Sequence, residues 1–210
     1  MRFSHILWDF NGTVLDDVEP CFKSINELLI RYGHMPIPDR DEYQRVFGFP
    51  VSEYYKRIGF DFDKTSFDIL AVEWVELYNK YSTPLKLCPN VEKALSYVAE
   101  RKIPQLILTA SDAKMAEAQL KELGVDKYFD GIIGLDNIKA HGKTEIAVEW
   151  NNKVKPEHAI LIGDTEHDAE VADMIGAECV LVSCGHMSYE RLAKLKPVCK
   201  DPYEAIKSVL

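Results

Sequence analysis

The run Phe3–Trp8, which breaks at Asp9 and turns at Asn11–Gly12, constrains the fold of this chain more than any other stretch. It is too short for a helix and mostly apolar, which is the pattern of a buried strand closed by turn residues. Similar runs recur at Gln105–Thr109, Gly131–Gly134, Ala159–Ile162 and Cys179–Ser183. Helical patterns lie between them. Asn90 is expected to cap Val91–Arg101, which carries Leu95 and Val98 on one face. Asp112 is expected to cap Ala113–Leu123, with Gly124 as terminator. Strands alternating with helices of this length predict βαβ units, hence a doubly wound parallel sheet of the α/β class.

Residues 17–85 break that rhythm. Phe22, Ile25, Leu28, Leu29 and Tyr32 share a helical face that ends at Gly33, and Asp39 and Glu42 have the spacing of a capping box. Ser52 is placed to start a short helix. A longer stripe runs through Phe67, Leu70, Trp74, Leu77, Tyr78 and Tyr81. The expected division is a core domain of residues 1–16 and 86–210 with a helical cap domain, 17–85, inserted into it. Ser82–Pro89, with two prolines, is the expected return hinge.

Charge narrows the partners. A formal net charge of −9 argues against a generic nucleic-acid surface, but not against an anionic substrate, because a metal ion reverses the local field. No run approaches the ~20 apolar residues of a membrane span, and the N-terminal run is too short for a signal peptide. Five scattered cysteines without a CxxC pair read as reduced thiols. A cytoplasmic protein, monomeric or homodimeric, that binds neither membrane nor nucleic acid is expected.

In doubly wound sheets, sites form outside the carboxyl ends of the strands. Asp9, Thr109 and Asp164 all follow or end predicted strands, so three distant polar residues converge on one rim. Each has a simpler reading: Asp9 as a turn or cap residue, Thr109 as an ordinary β-branched strand residue with Ser111 as competitor. Asp168 can be a first-turn acid on a helix dipole and Lys143 a solvated first-turn lysine. His141, His167 and His186 lack metal-ligand spacing and read as surface or structural residues.

Four ordered motifs carry a family resemblance. Asp9-Phe10-Asn11-Gly12-Thr13 resembles the DxDGT signature of haloacid dehalogenase-like hydrolases. Leu106-Ile107-Leu108-Thr109 resembles the second motif, Lys143 stands where the third motif's lysine is expected, although Thr144 replaces the usual proline, and Gly163-Asp164-Thr165-Glu166-His167-Asp168 resembles GDxxxD. Gly185-His186 and Tyr189–Leu192 are similar to the phosphoglycolate phosphatase-like branch. The resemblance implies Mg²⁺-dependent hydrolysis of a small phosphorylated metabolite. In that reading Asp9 is the nucleophile and passes through an aspartyl-phosphate. Asp9, Asp164, Asp168 and the backbone carbonyl of Asn11 hold the metal. Thr109 and the amide of Ala110 bind phosphate oxygens, and Lys143 neutralises charge on Asp9 and the phosphoryl group.

One position departs from the signature. The family's general acid/base aspartate is replaced by Asn11, and an amide cannot transfer that proton. Such help is worth roughly 10²–10⁴ in rate. Four explanations stand open: a substrate with a good leaving group such as an aryl or acyl phosphate, a proton from the insertion (Asp16, Glu19 or a lysine), a phosphate-binding regulator with little chemistry, or an Asn that is engineered or deamidates. A phosphomutase, stimulated by a bisphosphate, is a rival, as is a dehalogenase, whose chemistry does not need the acidic constellation. Tyr43, Arg45, Lys56 and Arg57 are candidates for recognising an anionic substrate, or equally a solvated face. Phe47, Phe49 and Tyr55 are expected in the insertion's core.

Overall fold

The computed structural model describes residues 2–135 and 143–210; the expectation on His141 lies outside them. Six strands, β1 (His5–Trp8), β2 (Gln105–Asp112), β3 (Gly131–Leu135), β4 (Ala159–Gly163), β5 (Glu178–Val182) and β6 (Val198–Cys199), form one parallel sheet ordered β3-β2-β1-β4-β5-β6. Leu7 in central β1 pairs with Leu106 on one side and Leu161 on the other. Ile6, Leu7 and Trp8 are fully buried, as a strand covered on both faces requires. This is the doubly wound sheet that the alternation predicts. Two-residue β6 carried too little pattern to be foreseen.

Helices flank the sheet: α5 (Val91–Glu100), α6 (Ala113–Glu122), α7 (Lys143–Val154), α8 (Glu166–Ile175), α9 (Tyr189–Leu192) and α10 (Pro202–Val209). Asp112 caps α6 by accepting from the Met115 N–H at 2.9 Å, and Gly124 stands just beyond at φ +72°. Asn90 does not cap α5 through its side chain. It is left-handed, at φ 58°, and its amide donates instead to Asp201 at 2.8 Å.

Between β1 and β2 the chain forms α1 (Val18–Arg31), α2 (Arg40–Val46), α3 (Val51–Arg57) and α4 (Phe67–Tyr81). Asp39 caps α2 through the Glu42 N–H at 2.7 Å. Pro50, two residues earlier than expected from Ser52, occupies the N-cap of α3. Helix α1 buries Val18, Cys21, Ile25, Leu28 and Leu29 against α4, whose Leu70 and Leu77 face them. With Tyr43, Tyr54, Tyr55 and Phe60 these residues make an apolar cluster of their own. Fully burying a leucine such as Leu28 contributes about 1.5–3 kcal/mol.

The helical block meets the sheet at two places. Leu15 bridges to Leu87 where the chain leaves and returns. Across the cavity, Gln44 donates to the Gly185 carbonyl at 2.6 Å, and the Arg191 guanidinium reaches the carbonyls of Gln44, Arg45 and Phe47 and the carboxylate of Glu166. Among the described residues no helix is long and apolar enough to cross a membrane.

Candidate active site

Asp9 is the first residue beyond β1, and its N–H donates to Ile162 of β4 at 2.8 Å, which fixes it over the middle of the sheet. Lys143, the first residue of α7 and 4% exposed, hydrogen-bonds Asp9 Oδ1 and, at 2.5 Å, Asp168 Oδ1. Asp164 follows β4 and is fully buried. Its Oδ1 accepts from the Thr13 hydroxyl at 3.1 Å and its Oδ2 from the His186 N–H at 2.7 Å. Asp168 uses both oxygens: Oδ1 meets Lys143, while Oδ2 accepts from the N–H groups of Asp164 and Thr165 and from the Thr165 hydroxyl. One oxygen of Asp168 thus serves the start of α8, while the other turns to Lys143.

Gly12 and Gly185 make room for this packing. A Cβ at either would overlap the Asp164 carboxylate, and Gly12 also sits at φ +75°. Burial, then Asp168, raises Asp9 to about 6 against the pull of Lys143. Burial, then Asp9 and Asp168, pushes Asp164 well above the usual carboxylate range. Burial works in the same direction on Asp168, but the Lys143 ammonium outweighs it and holds that carboxyl low. Burial would lower Lys143, yet Asp168 and Asp9 keep it raised.

The set fits a hard divalent cation. Asp9, Asp164 and Asp168 each offer an oxygen within 4.8 Å of the others. Fully ionised, the three carboxylates exceed the one ammonium by two negative charges, which a bound Mg²⁺ would offset.

Asn11 is held at both ends. Its Nδ2 donates to Asp17 Oδ2 at 2.8 Å, and its Oδ1 accepts from the Ser111 hydroxyl at 3.0 Å. Asp17 Oδ1 takes the Gly12 N–H at 2.9 Å and faces His186 Nε2 at 3.0 Å, and His186 Nδ1 meets the Tyr43 hydroxyl at 2.9 Å. Burial pushes Asp17 up, but His186 holds its carboxyl below the ordinary value. Asp17, Cys21 and His186 form a second set of mutually close donors. Sequence reading passed over Asp17 in favour of Asp16 and Glu19, and it read His186 as isolated. Those two residues are 169 positions apart, so only the fold joins them.

Thr109 is buried, and its hydroxyl accepts from the Ser111 N–H at 3.0 Å; Ala110 beside it is exposed. These residues open with Asp9, Asn11 and Lys143 onto one cavity of about 440 Å³, whose far wall comes from the helical block. Tyr43 lines it. Arg45, Lys56 and Arg57 are not among the described lining residues: Arg45 pairs with Glu42 at 2.7 Å, Lys56 with Glu53 at 2.8 Å, and Arg57 with the Val46 carbonyl. Phe47, Phe49 and Tyr55, expected as core, line the cavity as well as packing on one another's neighbours. His167 also lines it, against the ring of Phe49.

Residues 6–182 match the family model described as haloacid dehalogenase-like hydrolase. A phosphoglycolate phosphatase of Rhodobacter capsulatus is 26% identical over 86% of this chain and 84% of its own length. A 5'-nucleotidase of Pseudomonas aeruginosa is 26% identical over all of this chain and 96% of its own. The structure of the haloacid dehalogenase-like family protein SP0104 from Streptococcus pneumoniae superposes with a TM-score of 0.71 at 22% identity, covering 100% of this chain and 99% of that one.

Proposed function

The chain belongs to the haloacid dehalogenase-like hydrolases, and from that membership and the chemistry of its rim we propose that it hydrolyses a small phosphate monoester with Asp9 as nucleophile. The observation that carries this reading is the buried group of three carboxylates around one ammonium at the carboxyl end of the sheet. Phosphate-ester relatives, named for phosphoglycolate and for 5'-nucleotides, support it.

A carboxylate that approaches a phosphate dianion meets repulsion of about 4 kcal/mol at 4 Å and an effective dielectric of 20. Lys143 offsets it from one side and orients Asp9 through Oδ1, leaving the second oxygen to attack phosphorus. When bound, Mg²⁺ supplies the remaining charge neutralisation, held by Asp9, Asp164, Asp168 and the Asn11 backbone carbonyl. The Thr109 hydroxyl and the Ala110 N–H hold phosphate oxygens. Attack forms an aspartyl-phosphate on Asp9, which water then opens. We place the enzyme in the cytoplasm, acting on a small metabolite.

Two measurements test this. Asp9→Asn is expected to lower turnover of p-nitrophenyl phosphate roughly 10⁴-fold or more. Mg²⁺ is expected to raise the thermal midpoint of the wild type and to lose that effect in Asp164→Ala. Undiminished turnover in Asp9→Asn would sink the proposal.

A further inference from the structure

We infer that the alcohol this enzyme releases is an uncharged aromatic one, so that its substrate class is aryl phosphates and not esters bearing a second anion. The inference rests on the phosphatase reading above. Two independent observations carry it, one from the cavity wall and one from Asn11.

The wall opposite Asp9 is built from Phe47, Tyr54, Phe67, Trp74, Val75 and Tyr78. Trp74 and Tyr78 stack with centroids 5.2 Å apart, and Phe47 meets Tyr54 edge-on at 5.3 Å. Such faces and edges receive another ring favourably. Among the described lining residues Lys143 is the one Lys or Arg, and both Asp9 and Asp168 already hold it. The cations considered for recognising an anionic substrate, Arg45, Lys56 and Arg57, are engaged outside the cavity. Asp17 adds a further negative group to the lining. Apart from Lys143, the described lining offers a second anion only amides, hydroxyls and the rings of His167 and His186, the latter already on Asp17 and Tyr43. A second anion would therefore be desolvated here without a free cation to pair it.

Asn11 points the same way. With an amide at that position, held by Asp17 and Ser111, no proton is supplied there to the departing oxygen. A phenol has a pKa of about 10, so an aryloxide leaves as the anion, whereas an alkoxide is far more basic. The balanced step is then simple. An Asp9 oxygen forms a bond to phosphorus, the phosphorus–aryloxy bond breaks, and its electron pair departs with the aryloxide, which takes a proton from solvent. Water next attacks phosphorus, the bond to Asp9 breaks, and the water's proton ends on the phosphate released.

The test is kcat/KM, with Mg²⁺, for phenyl phosphate, benzyl phosphate and phosphoglycolate. Benzyl phosphate separates the ring from the leaving group. Phenyl phosphate is expected to exceed benzyl phosphate by roughly 10²-fold or more, and benzyl phosphate to exceed phosphoglycolate by about 10-fold. Val75→Arg, at a half-exposed wall position, is expected to close or invert the second gap. Phosphoglycolate turned over as fast as phenyl phosphate would overturn the inference and leave the phosphatase reading standing. Hydrolysis of none of the three, nor of acetyl phosphate, would overturn both.

Discussion

At the carboxyl end of the sheet, Asp9, Lys143, Asp164 and Asp168 lie buried within hydrogen-bonding reach of one another or of backbone N–H groups. Across the same cavity, the helical block presents rings that pack mainly on one another, with Tyr43 and Tyr78 reaching His186 and Asp17 through their hydroxyls. The rim gathers charge and gives those charged groups hydrogen-bond partners. The wall is mostly apolar, and in it the Tyr54 hydroxyl is buried without a partner among the described residues. Asn11 stands at the junction, bonded toward the helical block through Asp17.

The sharpest way to break this contrast is Asn11→Asp. It restores a proton-transfer group to the rim and sets a second carboxylate against Asp17, where an amide now donates. Expected outcomes are a rise in kcat/KM of roughly 10²-fold for an alkyl phosphate, a smaller rise for p-nitrophenyl phosphate, and a fall in thermal midpoint from the crowded like charges. Equal gains on both esters would refute the leaving-group explanation. On the wall side the expected effect is smaller. Tyr54→Phe removes an unpaired buried hydroxyl from an aromatic cluster, so urea unfolding should report about 1 kcal/mol of added stability. A loss would mean that the hydroxyl is satisfied in solution.

The smallest effect concerns the block's outer surface. Glu27 is lowered to about 2, first by Lys80 and then by Tyr81 and Arg31. A depressed carboxyl stabilises the fold above its ordinary pKa and loses that contribution as pH falls toward the folded value. The urea midpoint of Glu27→Gln should therefore lie slightly below wild type at neutral pH, and the gap should shrink on acidification from 4.5 toward 2. A gap that widens instead would show that this surface network does not act through charge.

The strands were readable because each is local. A short apolar run closed by turn or polar residues announces a buried strand, and five of the six strands lay where such runs fell. Capping by Asp39 and Asp112 was equally local. Asn90 misled because a left-handed residue cannot aim its side chain at the following N–H groups. The face that Arg45, Lys56 and Arg57 present is set by how α2 and α3 settle on α1 and α4, which periodicity does not encode. The Asp17–His186 contact is of the same kind. The aromatic stripes were rightly seen as packing, but their role as a cavity wall depends on a void, and a void leaves no mark in a sequence.

Arg191 gives the helical block a latch. One guanidinium clasps three carbonyls at the end of α2 and braces on Glu166, away in sequence from the Leu15–Leu87 crossing. If the block swings away to let an aromatic product out, that clasp has to open once per cycle. The dwell time of product would then be governed by a side chain that never meets the reacting atoms, and trimming it would change the tempo of the enzyme while leaving its chemistry alone.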